Sequence, residues 1–168
     1  MGYINTQVGF PDLDVMLMPY AGSLAIPNNE FIAQDSNGNA VPLTSMTDTG
    51  TLTTNQTNAH NAFAGLAASR RVATDAAGSI PVDRGAVRYC SCAALSSVAK
   101  VGAYVGPAAT SPATSLNSIG AAAAVVVVTN PAYAIGYVAE QAAANATQIK
   151  CYFPSRLVPN FLPATNGV

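Results

Sequence analysis

Between Gln148 and Phe153 the side chains alternate strictly, Ile149, Cys151 and Phe153 on one side and Gln148, Lys150 and Tyr152 on the other. No other feature constrains the fold as much, because this period of two belongs to a half-buried strand and not to a helix. Just upstream, Ala134 to Glu140 (AIGYVAE) sets Gly136 between Ile135 and Tyr137, the pattern of a strand that another backbone approaches closely. Ala139 to Ala146 joins the two. It is locally a helix former, but its eight residues lack an apolar stripe and predict a turn or a single helical turn.

The same pattern occurs earlier in the chain. Phe63 to Ser69 (FAGLAAS) puts Gly65 in the setting of Gly136, 71 residues on, and Ser79 to Cys90 follows as a strand with a bend at Gly85. Ser23 to Ile32 likewise matches Ser97 to Gly106 at an offset of 74. Two motifs at nearly one spacing predict two related halves, about 23–92 and 97–158, each a hairpin, a loop, a Gly-containing strand and a final strand. In the first half, a strand ending near Ile26 leads through a Pro-Asn-Asn turn to strands Glu30–Gln34 and Ala40–Leu43. Asn37-Gly38 between them predicts a two-residue type I′ turn. Thr44–Asn61, rich in Thr and Asn, predicts a long surface loop, while Asn58–Val72 also suits a short helix ended by Arg70 and Arg71. Ala121–Val128 (AAAAVVVV) predicts a strand buried on both faces and is far short of the ~20 residues a membrane helix needs. The expected fold class is all-β: a small β-barrel or sandwich made of two similar hairpin-rich halves.

The ends differ from this body. Residues 1–22 read as an N-terminal arm, with Pro11 and Pro19 bracketing a short strand at Asp14–Met18, or as an ordinary first strand packed on its own domain. The β-domain then runs over 23–158, and 159–168 form a tail that Pro154, Pro159 and Pro163 keep extended. Leu157, Val158, Phe161 and Leu162 are too apolar for a disordered appendage and need a surface to bind. Met1 to Asn5 lack a basic residue and Asp12 and Asp14 follow, so no secretory signal is expected.

Only 9% of residues are charged and the net charge is −1, against about 25% charged in an ordinary soluble protein. Such a surface has little long-range field to attract nucleic acid or an anionic membrane, and suits packing against other protein. The lone His60 lies in a polar stretch with nothing nearby to orient it, so no nucleophile triad is expected. Cys90 and Cys92 share a strand face and Cys151 is placed to meet either across a sheet. Reduced core thiols are expected, with a disulfide as the alternative and too few ligands for zinc. Asp12 and Asp14 read as solvated rather than catalytic. Gly102 to Gly106 lacks the helix and Lys of a phosphate loop. Arg70, Arg71, Arg84 and Arg88 read as solvated or intersubunit ion pairs rather than a nucleic-acid contact. No catalytic residue, metal or cofactor is expected.

The order Ala25 to Leu43 (AIPNNEFIAQDSNGNAVPL), Phe63-Ala-Gly-Leu-Ala67, Asp83-Arg-Gly-Ala-Val87, Val101-Gly-Ala-Tyr-Val-Gly106, Ile135-Gly-Tyr-Val-Ala139 and Ile149-Lys-Cys-Tyr152 resembles the capsid decoration (cement) proteins of tailed bacteriophages, the small β-rich type. The likeness spans about Ser23 to Val158. It departs at Ala103, where that family commonly has Asp, and in the longer N-terminal arm and Pro-rich tail. The resemblance implies a non-enzymatic virion protein on the outer surface of the capsid, assembled in the bacterial host cytoplasm. Its partners would be the major capsid protein and its own copies, as a trimer or a dimer. Phe10, Met16, Met18, Tyr20, Arg156, Leu157 and Phe161 are then the expected intersubunit and capsid contacts. A cell-surface or appendage subunit that binds glycans or polymerises is the alternative, and an enzyme with an acidic site is the third.

Overall fold

Gly78–Asp83 and Gly85–Ser91 are two strands with only Arg84 between them, and at that residue the chain leaves one sheet and enters another. The bend expected at Gly85 is therefore the joint of the molecule. The computed structural model describes residues 15–108 and 123–154. Its strands are β1 (Val15–Tyr20), β2 (Phe31–Gln34), β3 (Ala40–Pro42), β4 (Phe63–Ala67), β5 (Gly78–Asp83), β6 (Gly85–Ser91), β7 (Tyr104–Pro107), β8 (Val125–Val128), β9 (Gly136–Val138) and β10 (Gln148–Pro154). Helix α1 (Leu52–Ala62) lies between β3 and β4. The first five strands form an antiparallel sheet in the order β1-β5-β4-β2-β3 and the last five another in the order β6-β10-β9-β7-β8. Among the described residues the fold is all-β with one helix, and neither sheet closes into a barrel, which removes the barrel form of the expectation.

Counted from its own first strand, each sheet has the same order. The correspondence reaches single hydrogen bonds: Ile26 and Arg71 exchange backbone N–H···O bonds, as Ala99 and Ala142 do, and the Asn29 N–H donates to Ala67 O as the Gly102 N–H donates to Val138 O. Asn29 and Gly102 both sit at positive φ, 61° and 83°. The repeated strand order runs over 15–83 and 85–154. Ile32 pairs with Gly65 as Val105 pairs with Gly136, so Ile32 corresponds to Val105 and the offset of 74 is one residue out. In a strand that slip turns every side chain to the wrong face.

This duplication decides the fate of the arm. Strand β1 is the counterpart of β6 and pairs along its length with β5, from Val15 opposite Asp83 to Tyr20 opposite Gly78. Over 15–20 the chain is an ordinary first strand packed on its own domain.

One face of the first sheet gathers Met18, Tyr20, Ile26, Ile32, Ile80 and Val82 into a cluster of its own. Its other face, with Phe31, Phe63 and Leu66, meets Ile149, Cys151 and Phe153 of the second sheet in a second cluster. The rings of Phe31, Phe63 and Phe153 lie 5.3 to 6.2 Å apart, the separation at which tilted aromatic pairs attract beyond their simple burial. Those three fully buried rings join the halves.

Three local expectations change. The stretch 44–61 contains helix α1 rather than only a loop, and its inward face is polar: Gln56 Nε2 donates to Pro107 O at 3.0 Å, and His60 Nδ1 lies 2.7 Å from Ala134 O. Asn55 is buried and bonds Asp48 and Thr49. The β2–β3 hairpin is not type I′, because Gly38 has positive φ and Asn37 does not. It closes instead on Asp35 and Asn39, a loop built around a turn with one left-handed glycine. The Asn39 backbone N–H, foremost, holds the Asp35 carboxyl below its usual range. Strand β8 is an edge strand with Val125 buried and Val126 exposed, so it is not buried on both faces.

Candidate functional site

Side chains directly opposite in an antiparallel sheet share a face. Val87 is opposite Tyr152, Tyr152 opposite Tyr137, Tyr137 opposite Tyr104, and Tyr104 opposite Val128. One unbroken row of apolar and aromatic side chains therefore crosses all five strands of the second sheet. Tyr89, two residues from Val87, extends the same face along β6, and Val126 extends it along β8. Four of the seven tyrosines of the chain lie here, whereas the three described phenylalanines are all in the core.

The face is open. Tyr89 is 61% exposed, Val87 and Tyr104 42%, and Tyr137 37%. Tyr137 and Tyr152 pack with ring centroids 5.1 Å apart, tilted by 56°. Burial, and then the neighbouring Tyr152, push the Tyr137 phenol up from its ordinary value, so it stays neutral in water near pH 7. Beside the row, Lys150 Nζ lies 3.0 Å from Glu140 Oε2 and 5.6 Å from the Tyr89 ring centre. The hydrogen bond to Glu140, then its charge, hold the Lys150 ammonium above its ordinary value. The pair leaves the face without net charge.

The first half has this row too, and there most of it is covered. Val15, Asp83, Leu66 and Phe31 occupy the places of Val87, Tyr152, Tyr137 and Tyr104. Phe31 and Leu66 are fully buried, the Phe31 ring lies 5.3 Å from that of Phe153, and Asp83 meets Arg88 Nη2 at 3.3 Å. The second half of the chain covers Asp83, Leu66 and Phe31, whereas Val15 stays 39% exposed.

The residues expected to contact other subunits fare differently. Met18 and Tyr20 are buried in the first sheet, and Met16 packs partly against the same cluster. The Tyr20 hydroxyl donates to Leu24 O, and the Arg71 guanidinium stands 5.8 Å from its ring centre. Neither Met18 nor Tyr20 reaches the surface of the chain. Phe10, Arg156, Leu157 and Phe161 lie outside the described residues. The tyrosine face was legible only in part: the outward set of β10 shows in the alternation, but its alignment with Tyr104 and Tyr137 needs the strand order.

Cys90, Cys92 and Cys151 are free thiols buried in the shared core. A hydrogen bond with the Cys90 side chain, then burial and the neighbouring sulfurs, push the Cys151 thiol far up, and burial does the same more mildly for Cys92. The thiolate is the reactive form. Iodoacetamide at pH 8 should accordingly modify the folded protein at least ~10²-fold more slowly than free cysteine, with labelling tracking unfolding by circular dichroism. Rapid labelling of a folded sample would contradict this packing.

Among the described residues no group of three or more His, Cys, Asp or Glu could hold a metal ion, and no helix is long and apolar enough to cross a membrane. A groove of about 430 Å³ beside the β2–β3 hairpin is lined by Asp35, Met46, Thr49 and Asn58, but its carboxylate is already taken by Asn37 and Asn39. No family model, curated protein or solved structure matches the chain.

Proposed function

We propose that this chain is a structural virion protein that binds the outer surface of an assembled phage head and stabilises its lattice, acting by protein contact rather than by chemistry. One observation carries the reading: a neutral, aromatic sheet face that crosses five strands and stands open to solvent. Faces of this kind on a soluble module mark contact with another protein, because exposing contiguous apolar area is unfavourable unless a partner covers it. Tyr is also among the residues enriched at protein interfaces. The low charge and the resemblance to decoration proteins support the same assignment. Within it, we read the two sheets as layers of one sandwich joined through Phe31, Phe63 and Phe153.

The adhesion-subunit alternative draws on the same tyrosines, since aromatic rings also stack on sugars. The tilt of 56° between Tyr137 and Tyr152 favours protein, because the two rings pack on each other instead of lying flat as a platform.

The experiment is co-sedimentation with purified heads. The expected result is a fixed ratio to the major shell subunit that survives ~0.5 M salt, because contacts between uncharged surfaces are little screened. No association with heads, combined with retention on immobilised polysaccharide, would give the chain to the adhesion alternative.

A further inference from the structure

We infer that the pocket between residues 92–96 and strand β8 is a receptor for one aromatic side chain, Tyr or Phe, of the protein that covers the tyrosine face. This rests on the protein-contact reading above and deepens it by naming the anchor that the partner carries.

The pocket has a volume of about 180 Å³ and is partly open to solvent. Its described lining runs from Cys92 to Ser96 on one side and from Val125 to Val127 on the other, without a charged side chain. Strand β8 is the last of its sheet, and among the described residues no further strand pairs with it from outside. Val126 belongs both to the lining and to the tyrosine face, so pocket and face adjoin. A partner laid on the face reaches the pocket with the same surface.

The duplication indicates what fits. Ala67 lies opposite Val82 as Val138 lies opposite Cys151, and Met18 lies opposite Ile80 as Cys90 lies opposite Ile149. Two residues on, Cys92 therefore stands in the place of Tyr20. In the first half the Tyr20 side chain is buried and runs along 20–24 to donate its hydroxyl to Leu24 O. The pocket runs along the equivalent residues 92–96, where a thiol replaces the phenol ring. Val125, in the place of Ala40, takes back part of the room, and the pocket is what remains.

Size and polarity narrow the occupant. The remaining volume suits one ring, since an enclosed apolar cavity of about 150 Å³ takes up benzene. The neutral lining disfavours a charged anchor, which would lose its hydration there without a counter-charge. Tyr is moreover among the side chains on which interfaces concentrate their binding energy when such a pocket receives them.

p-Cresol, which reproduces the tyrosine side chain, is the probe, and the methyl NMR signals of Leu95, Val125 and Val127 in the full chain are the readout. They should shift saturably with half-saturation at about 1–10 mM, the range expected for burying one small ring. The methyls of Ile32 and Ile80, in the separate cluster of the first half, should not move. Cys92→Phe fills the pocket from within, and Ala94→Leu fills it from an exposed position of the lining. Each should abolish the shifts and weaken binding to purified heads at least ~10-fold, with circular dichroism and melting reporting whether it is folded. The absence of a saturable shift up to about 20 mM p-cresol would overturn the inference. An equal response to isobutanol would overturn the aromatic assignment, and a folded, filled variant that binds heads as wild type does would overturn the anchor. A chain that binds p-cresol at these methyls but never associates with heads keeps the receptor and loses the proposed function; one that binds heads while p-cresol leaves the methyls unmoved does the opposite.

Discussion

Gly65→Ala should destabilise the protein by about 3–5 kcal/mol, more than most single substitutions, and the cause is a contact between two backbones. A Cβ at Gly65 would stand 2.3 Å from the Asp83 carbonyl oxygen, and backbone cannot swing aside as a flexible side chain can. Its φ of 140° adds to the cost, because L side chains rarely adopt that region. To admit the methyl group, β4 and β5 must part where Leu66 pairs with Asp83, next to the joint between the sheets. For a chain of this size the loss corresponds to a fall in melting temperature of about 10 °C. Gly136→Ala repeats the experiment in the second half, where the Cβ would lie 2.5 Å from the Tyr152 carbonyl oxygen without positive φ at that glycine. Its expected cost is smaller, about 1–3 kcal/mol. Denaturant unfolding of both variants measures the two numbers. A Gly65→Ala protein within 1 kcal/mol of wild type would show that β4 and β5 do not run so close.

That pair of glycines also shows which parts of the fold the sequence discloses. Gly65 and Gly136 stood out because close approach leaves a mark at one residue, glycine between large apolar neighbours, and their spacing located the duplication. The limits of the halves did not stand out. The joint at Arg84 has no turn signature, since β5 runs almost directly into β6, and a strand that changes sheets looks like one long strand with a bend. A first half that ends with the strand 79–90 leaves residues 15–20 without a counterpart, so by sequence they read as an arm. Strand β1 in fact repeats β6, with Met18 and Tyr20 in the places of Cys90 and Cys92, large side chains for small, which hides the likeness. Helix α1 escaped for a different reason. Hydrophobic periodicity finds helices that bury apolar stripes, and this one buries Asn55 and Gln56 and satisfies them by hydrogen bonds. The tyrosine face lay hidden because its members sit on different strands, far apart in sequence, while the termini displayed their apolar residues in short runs.

The second large effect depends on pH and comes from a carboxyl group in the core of the first half. Glu30 is 3% exposed, its Oε1 has no hydrogen-bond partner among the described residues, and burial pushes its pKa up to about 7 from 4.5 against the smaller opposing pull of the Phe31 backbone N–H. Ala103 fills the equivalent place in the second half, where its carbonyl accepts from Val138 as that of Glu30 accepts from Ala67, so the fold does not need a carboxylate there. The sign follows from which state holds the proton. Between pH 4.5 and about 7 the folded chain keeps the proton on Glu30 and the unfolded chain has lost it, so unfolding releases a proton and stability falls as pH rises. Below 4.5 both states are protonated, above 7 neither is, and the contribution is level on each side. At 1.36 kcal/mol per pH unit the drop across the window is about 3 kcal/mol. Glu30→Gln should remove it: the variant's advantage over wild type should grow through this window and then stay constant. Asp35 works in the opposite sense, since its lowered pKa contributes stability that is lost as pH falls below the unfolded carboxyl range, outside the window in question. Urea unfolding of both proteins at half-unit steps from pH 4 to pH 8 yields the difference curve directly. A difference that stays flat across the window would mean that Glu30 reaches water or a cation in solution and carries its charge at no cost.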